Sequence, residues 1–340
     1  MALRIVQVGL GNWGQDWFKN IASKSEDFEV VACVDTDTAM LARVQALGIA
    51  AERCYTSVEQ ALERVECDAV LITTTLPYHV PVALAALKAG RHVLVEKPFA
   101  PTVEEARQVV DLAAEKGLIV AVSQNYRYYP AVRAVMALLH ENIVGAVHTV
   151  NIDFRRYIKQ TFEPGFRHYH LTQPLLLDMA VHHFDLMRGV LGQEPVVVAC
   201  TTWNPPWSKY VDPPVGAATI TFDGGTVVNY RGSWISSGAP TPWAGEWKIE
   251  GEAGEISWSS RANVGVSAER VSVRPLGKPP RRVEIPALTH IDRAGTLHAF
   301  AEAIQSGQEP ETAGRANIGS LALTWATIEA ATSGLPVRLR

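Results

Sequence analysis

An apolar run ending at Val8 leads straight into Gly9-Leu10-Gly11-Asn12-Trp13-Gly14, and a helical pattern follows. This arrangement restricts the possible folds more than any other feature of the chain. The first glycine permits a tight turn, the second lets phosphates approach the backbone, and the third lets the helix pack closely on the strand. The helix N-terminus then turns its N–H groups and the positive end of its dipole toward an anion. A second expected strand ends at Asp35, about twenty residues on, where a carboxylate can bond the ribose hydroxyls. Acidic Asp37 follows and no arginine does, so a 2′-phosphate would meet like charge. NAD is therefore expected rather than NADP, with Gly9, Gly11, Asn12, Trp13, Gly14 and Asp35 as its contacts.

Short β-branched runs continue at residues 30–34, 69–73, 92–95 and 118–122, after the first at 4–8, and helical stretches separate them. Thr102-x-x-Glu105 reads as a capping box, Gly117 as a helix stop, and Pro81 suits a first helical turn. The alternation predicts an α/β unit over residues 1–122, a Rossmann-type doubly wound parallel sheet with crossover helices. Beyond Gln124 the rhythm changes. Helices are expected at 131–140 and 178–191, and strands at 146–156, 196–202, 217–222 and 226–234. Asp223-Gly224-Gly225 supplies the positive φ of a tight hairpin, and helices at 293–305 and 317–331 close the chain. Residues 123–340 thus read as an α+β domain on an open, mostly antiparallel sheet, in keeping with a length of 340 residues, which exceeds one core.

Composition narrows the function classes. The net charge of −4 and the lack of a Lys/Arg run beyond Arg281-Arg282 speak against nucleic-acid or anionic-membrane binding. Cys33, Cys54, Cys67 and Cys200 are widely spaced, with no C-x-x-C pair, so free thiols in a reducing cytoplasm are expected rather than a zinc site or a disulfide framework. No apolar run reaches the roughly 18 residues of a membrane span.

Leu76-Pro77-Tyr78-His79, then Ala83, then Ala89-Gly90-Arg91-His92-Val93-Leu94-Val95-Glu96-Lys97-Pro98 resembles the Gfo/Idh/MocA family of oxidoreductases, with Glu-Lys-Pro as its most specific mark. The glycine fingerprint, a later Asp/His helix and Ile249-x-Gly251-x-x-Gly254 occur in the family's order. The resemblance implies Thr74, His79, Glu96 and Lys97 as further neighbours of the cofactor. Lys97 ends an expected parallel strand, at the edge where open α/β sheets bind ligands. An ammonium there can bond a hydroxyl oxygen and stabilise negative charge developing on it.

The second constellation is Asp178-Met179-Ala180-Val181-His182-His183-Phe184-Asp185. On a helix, 178, 182 and 185 fall on one face and His183 turns away. A carboxylate can orient and charge-stabilise an imidazole, which takes a hydroxyl proton as hydride leaves. The spacing resembles the family's D-x-G-x-H-x-x-D motif, which implies His182 as acid/base, Asp178 as its partner and Lys97 as the third catalytic residue. A metal reading of 178, 182 and 185 lacks an evident fourth ligand, and no metal is expected. Ala180 replaces the motif's glycine, Thr172-Gln173-Pro174 stands where a glycine run is common, and Pro77 lies closer to His79 than usual.

Expected substrate contacts are Lys97, Arg127, Arg155, Arg167, Asp178 and His182. Arg156, Tyr157, His168 and His170 flank the same loop, and Arg127 is equally suited to a structural salt bridge. Trp203, Trp207, Trp234, Trp243, Trp247 and Trp258 read either as a sugar-stacking platform or as a sheet face buried in a subunit interface. Taken together, the expectation is an NAD-dependent dehydrogenase acting on a secondary alcohol carbon of a sugar, inositol or other polyol. Two alternatives stand beside it: a relative with tightly held NAD that performs redox-assisted elimination or glycoside cleavage, and a non-catalytic NAD/sugar-sensing regulator. The resemblance further implies a homodimer or homotetramer built through the C-terminal sheet.

Overall fold

The computed structural model describes residues 2–157 and 165–339. The chain divides into two compact units, residues 1–125 with 290–321, and residues 126–289 with 322–340. A single cut after residue 122 misses the return of 290–321 to the first unit.

In the first unit the elements run β1 (Leu3–Val8), α1 (Asn12–Asn20), β2 (Phe28–Val34), α2 (Thr38–Gln45), β3 (Cys54–Tyr55), α3 (Val58–Arg64), β4 (Ala69–Ile72), α4 (His79–Lys88), β5 (His92–Val95), α5 (Val103–Lys116) and β6 (Val120–Val122). Among the described residues the sheet has six parallel strands in the order β3-β2-β1-β4-β5-β6, the doubly wound layout with its reversal between β1 and β4. The central strands are apolar on both faces, as parallel strands covered by helices must be; Val93, Leu94 and Val95 are wholly buried. The Thr102 side chain accepts from Glu105 N and Gly117 closes α5 at φ 64, while Pro81 falls in the first turn of α4. The two-residue β3 escaped the sequence reading because it is too short to show alternation.

The returning segment carries α8 (Arg293–Ser306). Leu297, Phe300, Ala301 and Ala303 join the first unit's apolar core, where Phe300 stacks on Phe28 at 5.8 Å. A helical pattern reveals an apolar face but not which core it enters, so the return was illegible beforehand.

The second unit contains α6 (Pro130–His140), β7 (Val147–Arg155), a π-helical stretch (Pro174–Ala180), α7 (Val181–Leu191), β8 (Pro195–Trp203), β9 (Val215–Phe222), β10 (Val227–Ser233), β11 (Glu246–Gly251), β12 (Gly254–Ser259), β13 (Arg270–Pro275), β14 (Arg281–Arg282) and, near the chain end, β15 (Val337–Arg338). The last long helix, α9 (Gly314–Ser333), gives Leu323, Ala326 and Ala330 to this core. Nine strands among the described residues lie in the order β14-β13-β12-β11-β7-β10-β9-β8-β15, antiparallel except for β10 beside β7. Gly225 turns the β9–β10 hairpin at φ 85. Strand alternation is clear in β9, whose Gly216, Ala218, Ile220 and Phe222 are buried while Ala217, Thr219 and Thr221 are exposed.

The late tryptophans divide by this alternation. Trp234, Trp247 and Trp258 are at most 3% exposed and belong to the unit's own core. Neither a sugar platform nor a subunit interface describes these three. Trp203 and Trp207 stand in solvent at 42% and 55%.

Candidate functional site

The glycine loop is held from below by side chains that the motif does not contain. Gln7, fully buried, donates to Gly14 O at 2.7 Å and to Thr73 Oγ1 at 3.2 Å, and Thr73 Oγ1 donates to Gly9 O at 2.6 Å. Gly9 takes φ 92, and a Cβ there would stand 2.5 Å from Thr74 N. At Gly14 a Cβ would come within 1.9 Å of Gly9 O, whereas a Cβ at Gly11 meets nothing within 4 Å. Two glycines are therefore fixed by the fold itself, and the third leaves a clear approach for a ligand.

That approach fits a dinucleotide. Gly11 caps α1 with no side-chain hydrogen bond, and no acid lies in the first turn, so the helix start is suited to a pyrophosphate. Asp35 at the end of β2 accepts from Leu10 N at 2.6 Å and from Asp37 N at 2.9 Å, and a carboxylate has further lone pairs for ribose hydroxyls. Asp37 caps α2 through Ala39 N. Thr74 Oγ1 is buried with no hydrogen-bond partner among the described residues, a polar atom suited to a ligand. Asn12 and Trp13 are exposed on the first turn, and Arg293 packs on the Trp13 ring at 4.4 Å.

Other expected cofactor contacts turn out to hold the loops. Glu96, 4% exposed, accepts from Trp17 Nε1 at 2.7 Å and from Lys97 N at 3.0 Å. His79, 2% exposed, has Nδ1 at 2.8 Å from Pro98 O and Nε2 at 3.2 Å from Thr74 O. Burial pulls its pKa down, and because a neutral imidazole carries one N–H the ring donates to one of these carbonyls and rests against the other, between the loop after β4 and the loop after β5. Lys97 stands two residues past the end of β5 and is half-buried, with a cis bond to Pro98.

In the second unit the Asp/His segment departs from a regular helix. Residues 174–180 are π-helical and 181–191 α-helical, so Asp178 and His182 stand on either side of a change in helix type. His182 is 7% exposed and lies flat on Tyr126, ring centroids 4.2 Å apart and planes 4° apart. Asp178 lies 3.4 Å from His168 Nε2, and His168 Nδ1 is 2.9 Å from Tyr210 Oη. His183 does turn away: its Nε2 faces Trp243 O at 2.9 Å and its Nδ1 the Tyr230 hydroxyl at 3.0 Å. Burial drives its pKa down to about 4.

The expected arginines separate. Arg127 is buried against Asp185, with Nε and Nη2 at 2.6 and 2.9 Å from the carboxylate. The salt-bridge alternative describes it, because a guanidinium cannot be buried without a partner. The same pair removes Asp185 from any three-ligand metal set around His182. Arg155 lies in β7 on the sheet face that also carries Asp153, Arg231 and Glu246; it pairs with Asp153 and with Glu246 at 2.8 Å. Arg167 is exposed on a 3₁₀ turn, Arg167–His170. Arg156, one residue on, takes the other side and lies over Trp243 at 4.3 Å. Strand alternation, which reverses the facing of adjacent residues, was the signal for separating 155 from 156. Among the described residues, Asp27, His290 and His298 in the first unit have metal-ligand spacing, away from all of these groups in sequence.

Comparison with known proteins agrees with this layout. The family model described as an oxidoreductase family with an NAD-binding Rossmann fold matches residues 3–124, and that of the GFO/IDH/MocA C-terminal domain matches residues 132–257. An uncharacterized protein, y4oX, of Sinorhizobium fredii is 28% identical over 100% of this chain and 96% of its own length. A 1,5-anhydro-D-fructose reductase of Ensifer adhaerens is 25% identical over 96% of both chains. The crystal structure of an inositol dehydrogenase homolog from Azotobacter vinelandii, complexed with NADH and myo-inositol, shares the fold at TM-score 0.85 with 18% identity, over 100% of this chain and 98% of that one. No helix among the described residues is long and apolar enough to cross a membrane.

Proposed function

Since the chain belongs to the Gfo/Idh/MocA family of NAD-binding oxidoreductases, we propose that it is a dehydrogenase that oxidises a secondary alcohol of a sugar, inositol or related polyol, or reduces the corresponding ketone. The observation carrying this reading is His182, a nearly buried imidazole braced flat against Tyr126 in a chain whose first unit holds a complete dinucleotide fingerprint. The names of the reductase and of the inositol dehydrogenase homolog support the substrate class.

NAD supplies the hydride acceptor when bound. Gly11 and the start of α1 would hold its pyrophosphate and Asp35 its ribose, with Thr74 Oγ1, in the loop after β4, available to bond it. In the proposed division of labour His182 takes the hydroxyl proton, so that the electron pair of the C–H bond can leave as hydride. Asp178 stabilises the resulting imidazolium, and Lys97 stabilises the negative charge developing on the substrate oxygen. In the reverse direction His182 returns the proton. We place the enzyme in the cytoplasm as a homodimer or homotetramer through the nine-stranded sheet.

The test is a panel of polyols, aldoses and inositols assayed for NADH formation by the purified protein. Turnover on at least one member is expected, and His182→Ala should abolish it while leaving NAD affinity within about twofold. Full turnover by the alanine variant would overturn the assignment. Net NADH release also separates this reading from one in which NAD stays bound through an elimination.

A further inference from the structure

Two guanidinium groups crowd the aromatic residues that brace His182. Arg156 lies 4.3 Å from the centre of the Trp243 ring and Arg261 lies 5.7 Å from the same centre. Arg261 also stands 4.6 Å over Tyr126 and donates to its hydroxyl at 2.8 Å. Tyr126 is the residue on which His182 stacks. His182 and Arg261 thus contact one and the same ring, and Trp243 links Arg261 to Arg156.

This charge arrangement is unusual for a structural cluster. Among the described residues no carboxylate pairs with Arg156, and its Nε is buried without a hydrogen-bond partner. Burial and the positive charge of Arg261 both depress its pKa. The acid beside this cluster, Glu269, is occupied: its oxygens accept from Ser260 Oγ at 2.5 Å, Arg261 N at 3.2 Å and Ala131 N at 2.8 Å. Arg261 itself adopts φ 61, a left-handed backbone conformation that costs a non-glycine residue free energy. Two cations beside one aromatic ring, with no carboxylate among the described residues facing Arg156, repel unless an anion joins them. Guanidinium forks match the oxygens of a carboxylate or phosphate.

We propose that Arg156 and Arg261 form an oxyanion subsite, so that the substrate is a sugar or polyol carrying a carboxylate or a phosphate rather than a neutral one. A substrate whose reacting carbon lies at His182 extends its charged terminal carbon past Tyr126 toward the arginines. The location rests on the dehydrogenase reading; the chemistry rests on the arginine pair alone.

Binding of D-gluconate, D-glucuronate, D-glucose 6-phosphate and neutral D-glucose to the full-length protein with NAD, measured by titration calorimetry at low and at physiological salt, tests this directly. At least one of the anions should bind tenfold or more tightly than glucose, with the preference weakening as salt rises. Comparison of the two acids with the phosphate ester tells which oxyanion the site takes. Arg156→Gln should reduce the preference to threefold or less, and Arg156→Lys, which keeps the charge but not the fork, should retain part of it. Equal binding of all four probes by the wild type, or an undiminished preference in a folded Arg156→Gln variant, overturns the subsite. NADH formation on the same panel separates the two claims: anion preference without turnover leaves the subsite and removes the dehydrogenase, and turnover on neutral sugars without anion preference does the reverse.

Discussion

The imidazole of His182 and the phenol ring of Tyr126 lie nearly parallel, 4.2 Å apart with 4° between their planes. Stacking of this kind fixes a ring's plane and with it the directions of its edge nitrogens. Aromatic pairs contribute about 0.5–1.5 kcal/mol beyond burial, so Tyr126→Leu should lower kcat/KM by about threefold to tenfold. Tyr126→Phe keeps the stack and should retain most of the kcat, losing only the hydroxyl that accepts from Arg261. Steady-state kinetics of both variants decide the matter, and equal losses in the two would show that the hydroxyl, not the ring, is the effective part.

Arg127 and Asp185 are a second pairing with a measurable consequence. Their side chains are 9% and 3% exposed, so removing either strands a buried charge, at a cost of about 3–5 kcal/mol. Arg127→Met and Asp185→Asn should each lower the thermal midpoint markedly, and the double variant Arg127→Met/Asp185→Leu should recover part of the loss. A residue reading substrate behaves otherwise, raising KM with an unchanged midpoint. That outcome would return Arg127 to the substrate contacts.

How much of this was legible beforehand depended on whether the deciding interaction was local. The close packing of Gly14 on Gly9, the Thr102 cap and the Gly117 stop are set by neighbours a few residues away, and the sequence shows them. Ile249-x-Gly251-x-x-Gly254, visible only as a resemblance, proves to be the β11–β12 hairpin, where a Cβ at Gly251 would stand 2.4 Å from Val144 O and one at Gly254 2.4 Å from Arg274 O. No local pattern announces a clash with the backbone of Val144 or Arg274, each outside the hairpin. The π-helical register before His182 was hidden for the same reason. Pro174 O accepts from Trp234 Nε1 at 3.0 Å and Gln173 N donates to Asp212 at 2.9 Å, both distant in the chain. A helical wheel drawn at 3.6 residues per turn does not show this change of helix type. Gln7, Thr73 and Trp17 escaped notice because a buried polar side chain beneath a loop looks, in sequence, like any other strand or helix residue.

The three fingerprint glycines make different predictions although the motif treats them alike. Gly14→Ala sets a methyl group against Gly9 O at 1.9 Å, so the loop must distort, and both the thermal midpoint and NAD affinity should fall. Gly11→Val meets no described protein atom within 4 Å of its Cβ and should fold with a midpoint within about 2 °C of the parent, a change worth at most about 1.5 kcal/mol for a chain of this size. Its NAD affinity should nonetheless drop tenfold or more, as a branched side chain occupies the approach of the pyrophosphate. Differential scanning fluorimetry and NADH fluorescence titration measure the two effects separately. Normal NAD binding by Gly11→Val would show that the pyrophosphate lies elsewhere.

Acid should loosen the protein through its buried neutral histidines. His183 is wholly enclosed; Trp243 O can only accept, so Nε2 carries the proton and Nδ1 accepts from the Tyr230 hydroxyl. Burial lowers the folded pKa to about 4 from an ordinary 6.5, and His79 and His92 move in the same direction for the same reason. Between these values the unfolded chain binds a proton that the folded chain refuses. The stabilisation is therefore complete above pH 6.5 and is lost as the pH falls toward 4, by an amount on the order of 3 kcal/mol for His183. Urea unfolding at a series of pH values should show this decline, and His183→Gln, though less stable at neutral pH, should show a slope shallower by about one proton. An unchanged slope in that variant would mean that His183 is protonated in the folded state, with its hydrogen bonds to Tyr230 and Trp243 rearranged.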